Sequence, residues 1–277
     1  AGLAGAHAAF ALARRGVAVT VLEATSVAGG GSSNLQGVTY TRLSHQHNPL
    51  TDFSLAGFGF ATDHYETLLR DGALTADKDI GLGGYVQLHE ADDTLAHLSE
   101  VLPLAPAFAQ VISATELAAL TGLTPRCGGI HYQRGGWLTP QAVCRALLTH
   151  PLISLQSDCG LLSLSRDQGG LWRAIDAQGN VLTEADTAVL ATAHAVLQQP
   201  DLKWRPLNTI RGQTTHLPTP PQLAQLSVTL CDQGYLPPAR AGLHCLGASF
   251  CRSGLLGRES NQLLKNFGII LSILWIN

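Results

Sequence analysis

The sequence contains no methionine in 277 residues, and it opens on Ala1-Gly2-Leu3-Ala4-Gly5, in the middle of a turn motif. Together these point to a piece of a longer chain. Charge is scarce too: 13% of the residues are charged, and the formal net charge is −3. A global basic field for gripping nucleic acid is thereby excluded, although a local patch or a partner domain could still supply one. No apolar run reaches the roughly 18 residues that a membrane span needs, and the stretch 268–276 is far too short. A leader with a basic n-region is lacking as well, so a cytoplasmic protein with no membrane partner is expected. The six cysteines form no C-x-x-C pair and have no histidine at zinc spacing, which argues against a metal site and for reduced thiols.

Hydrophobic residues make up 45% of the chain, enough for one large core or two small ones. The organising stretch is the N-terminus. Gly2-Leu3-Ala4-Gly5 reads as the second half of G-x-G-x-x-G, the turn from a β-strand into a dinucleotide-binding helix. Gly2 would let the backbone approach a pyrophosphate, and Gly5 would let the helix lie close on a sheet. Leu3, Ala6, Phe10 and Ala13 recur at helical spacing, Arg14-Arg15 suit the helix C-terminus, and Gly16 supplies the stop. Residues 17–22 then read as a buried parallel strand ending on Glu23, about 20 residues beyond the glycines, where an acid grips a ribose hydroxyl. Glycines alone are weak evidence, but helix, strand and terminal acid in register predict a nucleotide-binding βαβ unit. The competing reading is an alanine-rich helix with two packing glycines.

The following loop closes on Ser32-Ser33-Asn34-Leu35-Gln36-Gly37, a composition that can bring N–H groups and hydroxyls to a phosphate or a flat ring, or serve as an ordinary connection. Residues 38–43 suggest a short strand. Residues 52–69 have a helical period, and core packing explains Phe53, Phe58, Phe60 and Tyr65. A strand at 84–88, a helix at 92–102 and a capping-box helix opened by Ser113-Ala114-Thr115-Glu116 follow. The glycines before Trp137 fit a backbone passing close to something flat, or a hairpin turn. Thr139 is placed to cap a helix over 140–148 with Pro140 at N1. Strands are then expected at 152–155 and 160–164, in a hairpin through Gln178-Gly179-Asn180, in a buried run at 185–192, and at 207–217 and 242–250. A turn over 232–238 delivers Tyr235 toward whatever that sheet faces. His45, His47 and His131 read as surface or satisfied histidines.

Several of these segments occur in a telling order. Ala4-Gly5 through Arg14-Arg15-Gly16, Ser33-Asn34-Leu35-Gln36-Gly37, Cys127-Gly128-Gly129-Ile130, Gly135-Gly136-Trp137-Leu138, the run from Arg211-Gly212-Gln213 to Pro218, Gly234-Tyr235-Leu236 and Leu246-Gly247-Ala248-Ser249-Phe250 resemble the D-amino-acid-oxidase-like and glycine-oxidase-like flavoproteins. Within that family they look most like the oxidoreductase modules of bacterial bifunctional enzymes that modify the wobble uridine of tRNA.

The resemblance implies an α/β fold with α+β elements in a second lobe. A Rossmann-like FAD-binding domain of glutathione-reductase or D-amino-acid-oxidase type (1–80 and 126–200) would interleave with a mixed-sheet substrate domain (81–125 and 201–257), leaving a divergent tail (258–277). It implies FAD, a tRNA partner, and oxidation of a carboxymethylaminomethyl group on 2-thiouridine to aminomethyl. A methyltransferase module using S-adenosylmethionine would normally be fused N-terminally. By position, Gly2, Gly5 and Glu23 would hold the ADP half, Ser32, Ser33, Asn34, Gln36 and Gly37 would line the pyrophosphate and ring, and Leu161 would sit near the adenine. Tyr235 matches a tyrosine that lies over the substrate, with Arg211 and His216 as further active-site candidates. Two departures stand out: Ala191-Thr192-Ala193-His194 replaces an Ala-x-Gly turn, and nothing after Gly257 matches the family's closing segment. A small-molecule amine oxidase, or a remnant that only binds nucleotide or a partner, remains the alternative.

Overall fold

The computed structural model describes residues 1–41, 43, 48–89, 93–160, 163–198, 207 and 209–251; His45, His47, Leu161 and the tail 258–277 lie outside them. In chain order the elements are α1 (Leu3–Ala13), β1 (Val19–Leu22), β2 (Gly37–Thr39), α2 (Pro49–Arg70), β3 (Ile80–Gly81), β4 (Tyr85–Leu88), α3 (Asp93–Val101), β5 (Ala109–Ile112), α4 (Ala114–Thr121), β6 (Gly129–Tyr132) and β7 (Gly136–Leu138). There follow α5 (Pro140–Leu148), β8 (Ile153–Gln156), β9 (Ser163–Arg166), β10 (Trp172–Ile175), β11 (Val181–Ala185), β12 (Arg211–Pro218), β13 (Thr229–Cys231), β14 (Tyr235–Leu236) and β15 (Leu243–Cys251). They fall into two compact units, Ala1–Leu35 with Pro140–Thr209 and Gln36–Thr139 with Ile210–Asn277.

In the first unit, α1 buries Ala6, Ala9 and Ala13 and packs on α5, which buries Val143, Cys144, Leu147 and Leu148. Small side chains on one helix let the two approach closely. Gly16 ends α1 at φ +83°, donating its N–H to Ala13 O, a backbone state that glycine adopts without strain. β1 and β8 pair in parallel, Val19 beside Ile153 and Leu22 beside Gln156. Contrary to the sequence expectation, β1 is only half-buried: Thr20 is exposed and so is Val17, because among the described residues the strand pairs with β8 alone. β9, β10 and β11 form an antiparallel meander. Its turn is held by Asp176, whose carboxylate accepts the N–H groups of Gln178 and Asn180. The buried strand expected over 185–192 does not form. Residues 186–192 join no ladder, and Val189 and Leu190 stay exposed.

The second unit is built on a seven-stranded sheet in the order β12-β15-β14-β13-β4-β6-β5. The β13–β4 pair is parallel and the others are antiparallel. Alternation sends Val86, Leu88, Leu230, Leu236 and Leu246 into one core cluster with Leu117 of α4. Tyr85, Ile130, Tyr132 and Cys231 join Phe58, Leu98 and Leu102 in the other. α4 carries the expected capping box, Ser113 and Glu116 bonding reciprocally. β2, β7 and β3 form a separate three-stranded sheet.

Two readings are corrected here, those of α2 and of Thr139, and a third is made specific. On α2, Phe58 and Tyr65 are buried, but Phe53 and Phe60 are 77% and 73% exposed, since the helix covers the sheet with one stripe only. The flat object beside Gly135 is the Phe58 ring: with φ at +97°, a Cβ there would stand 2.9 Å from it and 2.6 Å from Thr39 O. Thr139 does not act as a side-chain cap. Its Oγ1 is buried without a hydrogen-bond partner, while its N–H donates to Asp79 O.

Candidate functional site

The first unit gathers Gly2, Gly5, Glu23 and Ser32 around the start of α1 and the carboxyl end of β1. Gly2 is the N-cap of α1, extended at φ −85°, and has no side chain with which to cap it. Helix geometry leaves the first N–H groups without intrahelical acceptors. One of them, on Leu3, donates to Ser32 Oγ at 3.1 Å. A Cβ on Gly2 would stand 2.8 Å from that hydroxyl, so the bare backbone and the loop hydroxyl share one cradle. At Gly5 the limits are Ala1 Cβ and Ala191 Cβ, at 3.3 and 3.4 Å from an added Cβ. The segment containing Ala191 thus lies over the helix start, where the family's turn was expected.

Glu23 follows β1 and accepts a hydrogen bond from the Thr25 N–H. Its backbone carbonyl accepts from Cys159 N–H, and Ala24 O accepts from Gly160 N–H, tying together the loops that leave β1 and β8. In open α/β sheets that end of the strands is where ligands bind. Ser33 and Asn34 continue the loop as exposed residues, Ser33 donating its N–H to Gly30 O.

The second unit holds Gln36, Gly37, Tyr235, His216 and Arg211. Gln36 is almost wholly buried, and its carboxamide donates to Pro238 O at 3.0 Å, clamping the start of β2 to the segment after β14. Gly37 pairs with Leu138. Tyr235 lies opposite Gly247 and Cys231, and its ring rests on Gly247: a Cβ there would stand 2.5 Å from the tyrosine hydroxyl. Burial, reinforced by Cys245, Cys231 and Tyr40, pushes the Tyr235 phenol well above its ordinary value. It is therefore a hydrogen-bond donor at neutral pH.

β12 separates the other two candidates. His216 pairs with Cys245 on the Tyr235 side of the sheet, whereas Arg211, an even number of residues from Leu217, shares the face on which Leu217 packs against the opposite core cluster. Both are exposed. The structure thus brings His216, and not Arg211, to the face that carries Tyr235. That face also carries Gln87, Thr229, Cys231 and Cys245, which the sequence reading passed over. The available signal was Gln87 itself, a polar residue inside the apolar run Tyr85-Val86-Gln87-Leu88 whose four members are all buried.

The chain belongs to the DAO family, described as FAD dependent oxidoreductase, whose family model matches residues 1–266 and so runs past Gly257. Its sequence is similar to the tRNA 5-methylaminomethyl-2-thiouridine biosynthesis bifunctional protein MnmC of Saccharophagus degradans, with 36% identity over 90% of this chain. The chain spans about a third of that relative, 35% of its length. In structure it is similar to glycine oxidase from Geobacillus kaustophilus, with TM-score 0.75, 17% identity and coverage of 100% of this chain and 78% of that one. It is also similar to iminodiacetate oxidase from Chelativorans, with TM-score 0.72, 19% identity and coverage of 99% and 77%. These likenesses establish a D-amino-acid-oxidase-type fold of mixed α/β sheets. Among the described residues, no helix is long and apolar enough to cross a membrane.

Proposed function

We propose that this chain is the FAD-dependent oxidoreductase part of a cytoplasmic tRNA-modifying enzyme, converting the carboxymethylaminomethyl group of wobble 2-thiouridine to aminomethyl. The observation that carries this reading is the 36% identity, across 90% of the chain, to a relative named for that biosynthesis. A methylation step using S-adenosylmethionine would belong to a fused module outside this chain. FAD is assigned to 1–80 and 126–200 and the substrate to 81–125 and 201–257; these are functional limits, distinct from the compact units.

The residues of the first unit fit the ADP half of FAD. The cradle that a Cβ on Gly2 would fill leaves backbone N–H groups for a pyrophosphate, and Glu23 offers a carboxylate to a ribose diol. FAD, when bound, supplies an acceptor for the hydride that leaves the carbon beside the substrate nitrogen. Water then adds to the resulting C=N bond, glyoxylate departs, and the aminomethyl group stays on the nucleoside. Tyr235 contributes a hydroxyl that burial keeps protonated, suited to donate to the substrate carboxylate. Tyr235 packs at the edge of an apolar cluster, where a hydrogen bond is electrostatically stronger than in water.

The test is incubation of the FAD-loaded chain with tRNA from cells blocked after the carboxymethylaminomethyl step, reading nucleosides by mass spectrometry and glyoxylate by trapping. Conversion to aminomethyl with equimolar glyoxylate is expected. Oxidation of free glycine or sarcosine without change in the tRNA would replace this reading with that of a small-molecule amine oxidase, the activity named for the glycine oxidase that shares the fold.

A further inference from the structure

We propose that Tyr40 is a specificity residue: its exposed ring is the surface on which the wobble base stacks while the substituent on that base reaches Tyr235. The inference rests on the tRNA-modifying reading above and names how that substrate is told from a free amine. Tyr40 directly follows β2 and is 49% exposed. Single exposed aromatics are common on protein surfaces, so the case lies in how and where this ring is held. Its backbone is fixed on both sides. Thr39 pairs with Gly136 of β7, while the buried Thr41 donates its N–H to the Tyr85 hydroxyl at 2.9 Å and accepts from the same hydroxyl at its carbonyl at 2.6 Å. The ring itself stands edge-on to that of Tyr85, with centroids 6.4 Å apart at 82°. An aromatic fixed in this way presents a flat surface at little further entropy cost on binding.

The face it borders is that of Tyr235. Tyr85 and Gln87 share one side of β4, and Gln87, Cys231, Tyr235 and Gly247 form a register row across four strands, with the Tyr235 ring leaning over Gly247. Tyr85 and Cys231 belong to the cluster against which Tyr235 packs. Tyr40 also stands close enough to Tyr235 to oppose ionisation of its phenol, an influence that fades beyond about 10 Å. Phe53 and Phe60 are exposed as well, but on the side of α2 turned from the sheet. Unpaired loop bases are recognised chiefly by stacking on aromatic rings. The substituent –CH2–NH–CH2–COO− extends about 5 Å from the base, a reach suited to a carboxylate at the Tyr235 hydroxyl and a base on the neighbouring ring. Stacking needs no positive charge, which suits a chain whose net charge is −3. The competing role for Tyr40 is that of a second hydroxyl donor to the substrate carboxylate.

The experiment compares FAD-loaded wild type with Tyr40→Leu, which removes the ring, and with Tyr40→Phe, which removes only the hydroxyl. Two constants are measured: KM for tRNA bearing the carboxymethylaminomethyl group, and Ki for iminodiacetate, a competitor that carries –NH–CH2–COO− without a base. In Tyr40→Leu, KM should rise about tenfold or more with FAD uptake unchanged, the loss expected for one stacked base, while Ki stays level. Tyr40→Phe should restore most of that loss. A Tyr40→Phe variant as weak as Tyr40→Leu would assign the role to the hydroxyl and overturn the stacking, and KM and Ki rising together, or neither moving, would overturn it too. Wild type that holds FAD yet leaves the tRNA unchanged overturns the function reading and this proposal with it, whereas an active wild type with an unresponsive Tyr40→Leu overturns the role of Tyr40 alone.

Discussion

Tyr235 is the side chain to which the proposed function assigns contact with the substrate. Tyr235→Phe keeps the ring on Gly247 and removes only the hydroxyl, so kcat/KM should fall about 10- to 100-fold, the loss of one hydrogen bond to a charged partner, with FAD uptake unchanged. Because the folded-state phenol ionises well above the ordinary tyrosine value, activity should show no descending limb near about pH 10 that depends on Tyr235. The sign for stability follows from proton binding: above about pH 10 the unfolded chain loses phenolic protons that Tyr235 and Tyr85 retain when folded, so stability should fall as pH rises beyond that point. Urea titrations across pH 9 to about 11 check this, and Tyr235→Phe should flatten the fall. Gly247→Ala places a Cβ 2.5 Å from the Tyr235 hydroxyl and should reduce turnover by displacing the ring, with FAD still bound. Gly2→Ala crowds the Ser32 hydroxyl that accepts from Leu3 and should weaken FAD binding about tenfold, measured by flavin fluorescence titration.

Elements whose signals are local agree with the sequence reading. α1 with its Gly16 stop, α4 with its capping box, and the β10–β11 hairpin with its Asp176 turn each depend on neighbours within a few residues. Ser113→Ala should therefore destabilise the fold by about 1 kcal/mol, read as a lower denaturation midpoint at unchanged m-value. Glu116, held below its usual pKa by Ser113, adds stability above its unfolded pKa that is lost as pH falls through the folded one. The elements that were misread depend on distant partners. Residues 185–192 have strand composition, yet composition does not supply a ladder, and the period of α2 does not say that the side bearing Phe53 and Phe60 stays uncovered. The same holds for the site. The turn before Tyr235 is visible in the sequence, but the row from Gln87 to Gly247 exists only through the parallel register of β13 on β4, between segments far apart in the chain. Gln87 and Cys231 therefore carried no signal of their shared face, whereas the five-residue offset of Arg211 and His216 within one expected strand already placed them on opposite sides.

At the scale of the whole molecule, the chain is a member of the FAD dependent oxidoreductase family with a D-amino-acid-oxidase-type fold. It corresponds to about a third of a bifunctional relative, and a net charge of −3 makes this chain a poor general attractant for RNA. tRNA turnover should accordingly show a weaker salt dependence than a protein gripping many phosphates, with KM rising only a few-fold between 50 and about 200 mM salt. All of this depends on the chain holding its flavin. The deciding measurement is the visible absorption spectrum of the purified chain after incubation with excess FAD and removal of free cofactor. Protein-bound flavin bands near one equivalent, diminished in Gly2→Ala, are the result this account predicts. A folded but colourless protein would contradict it.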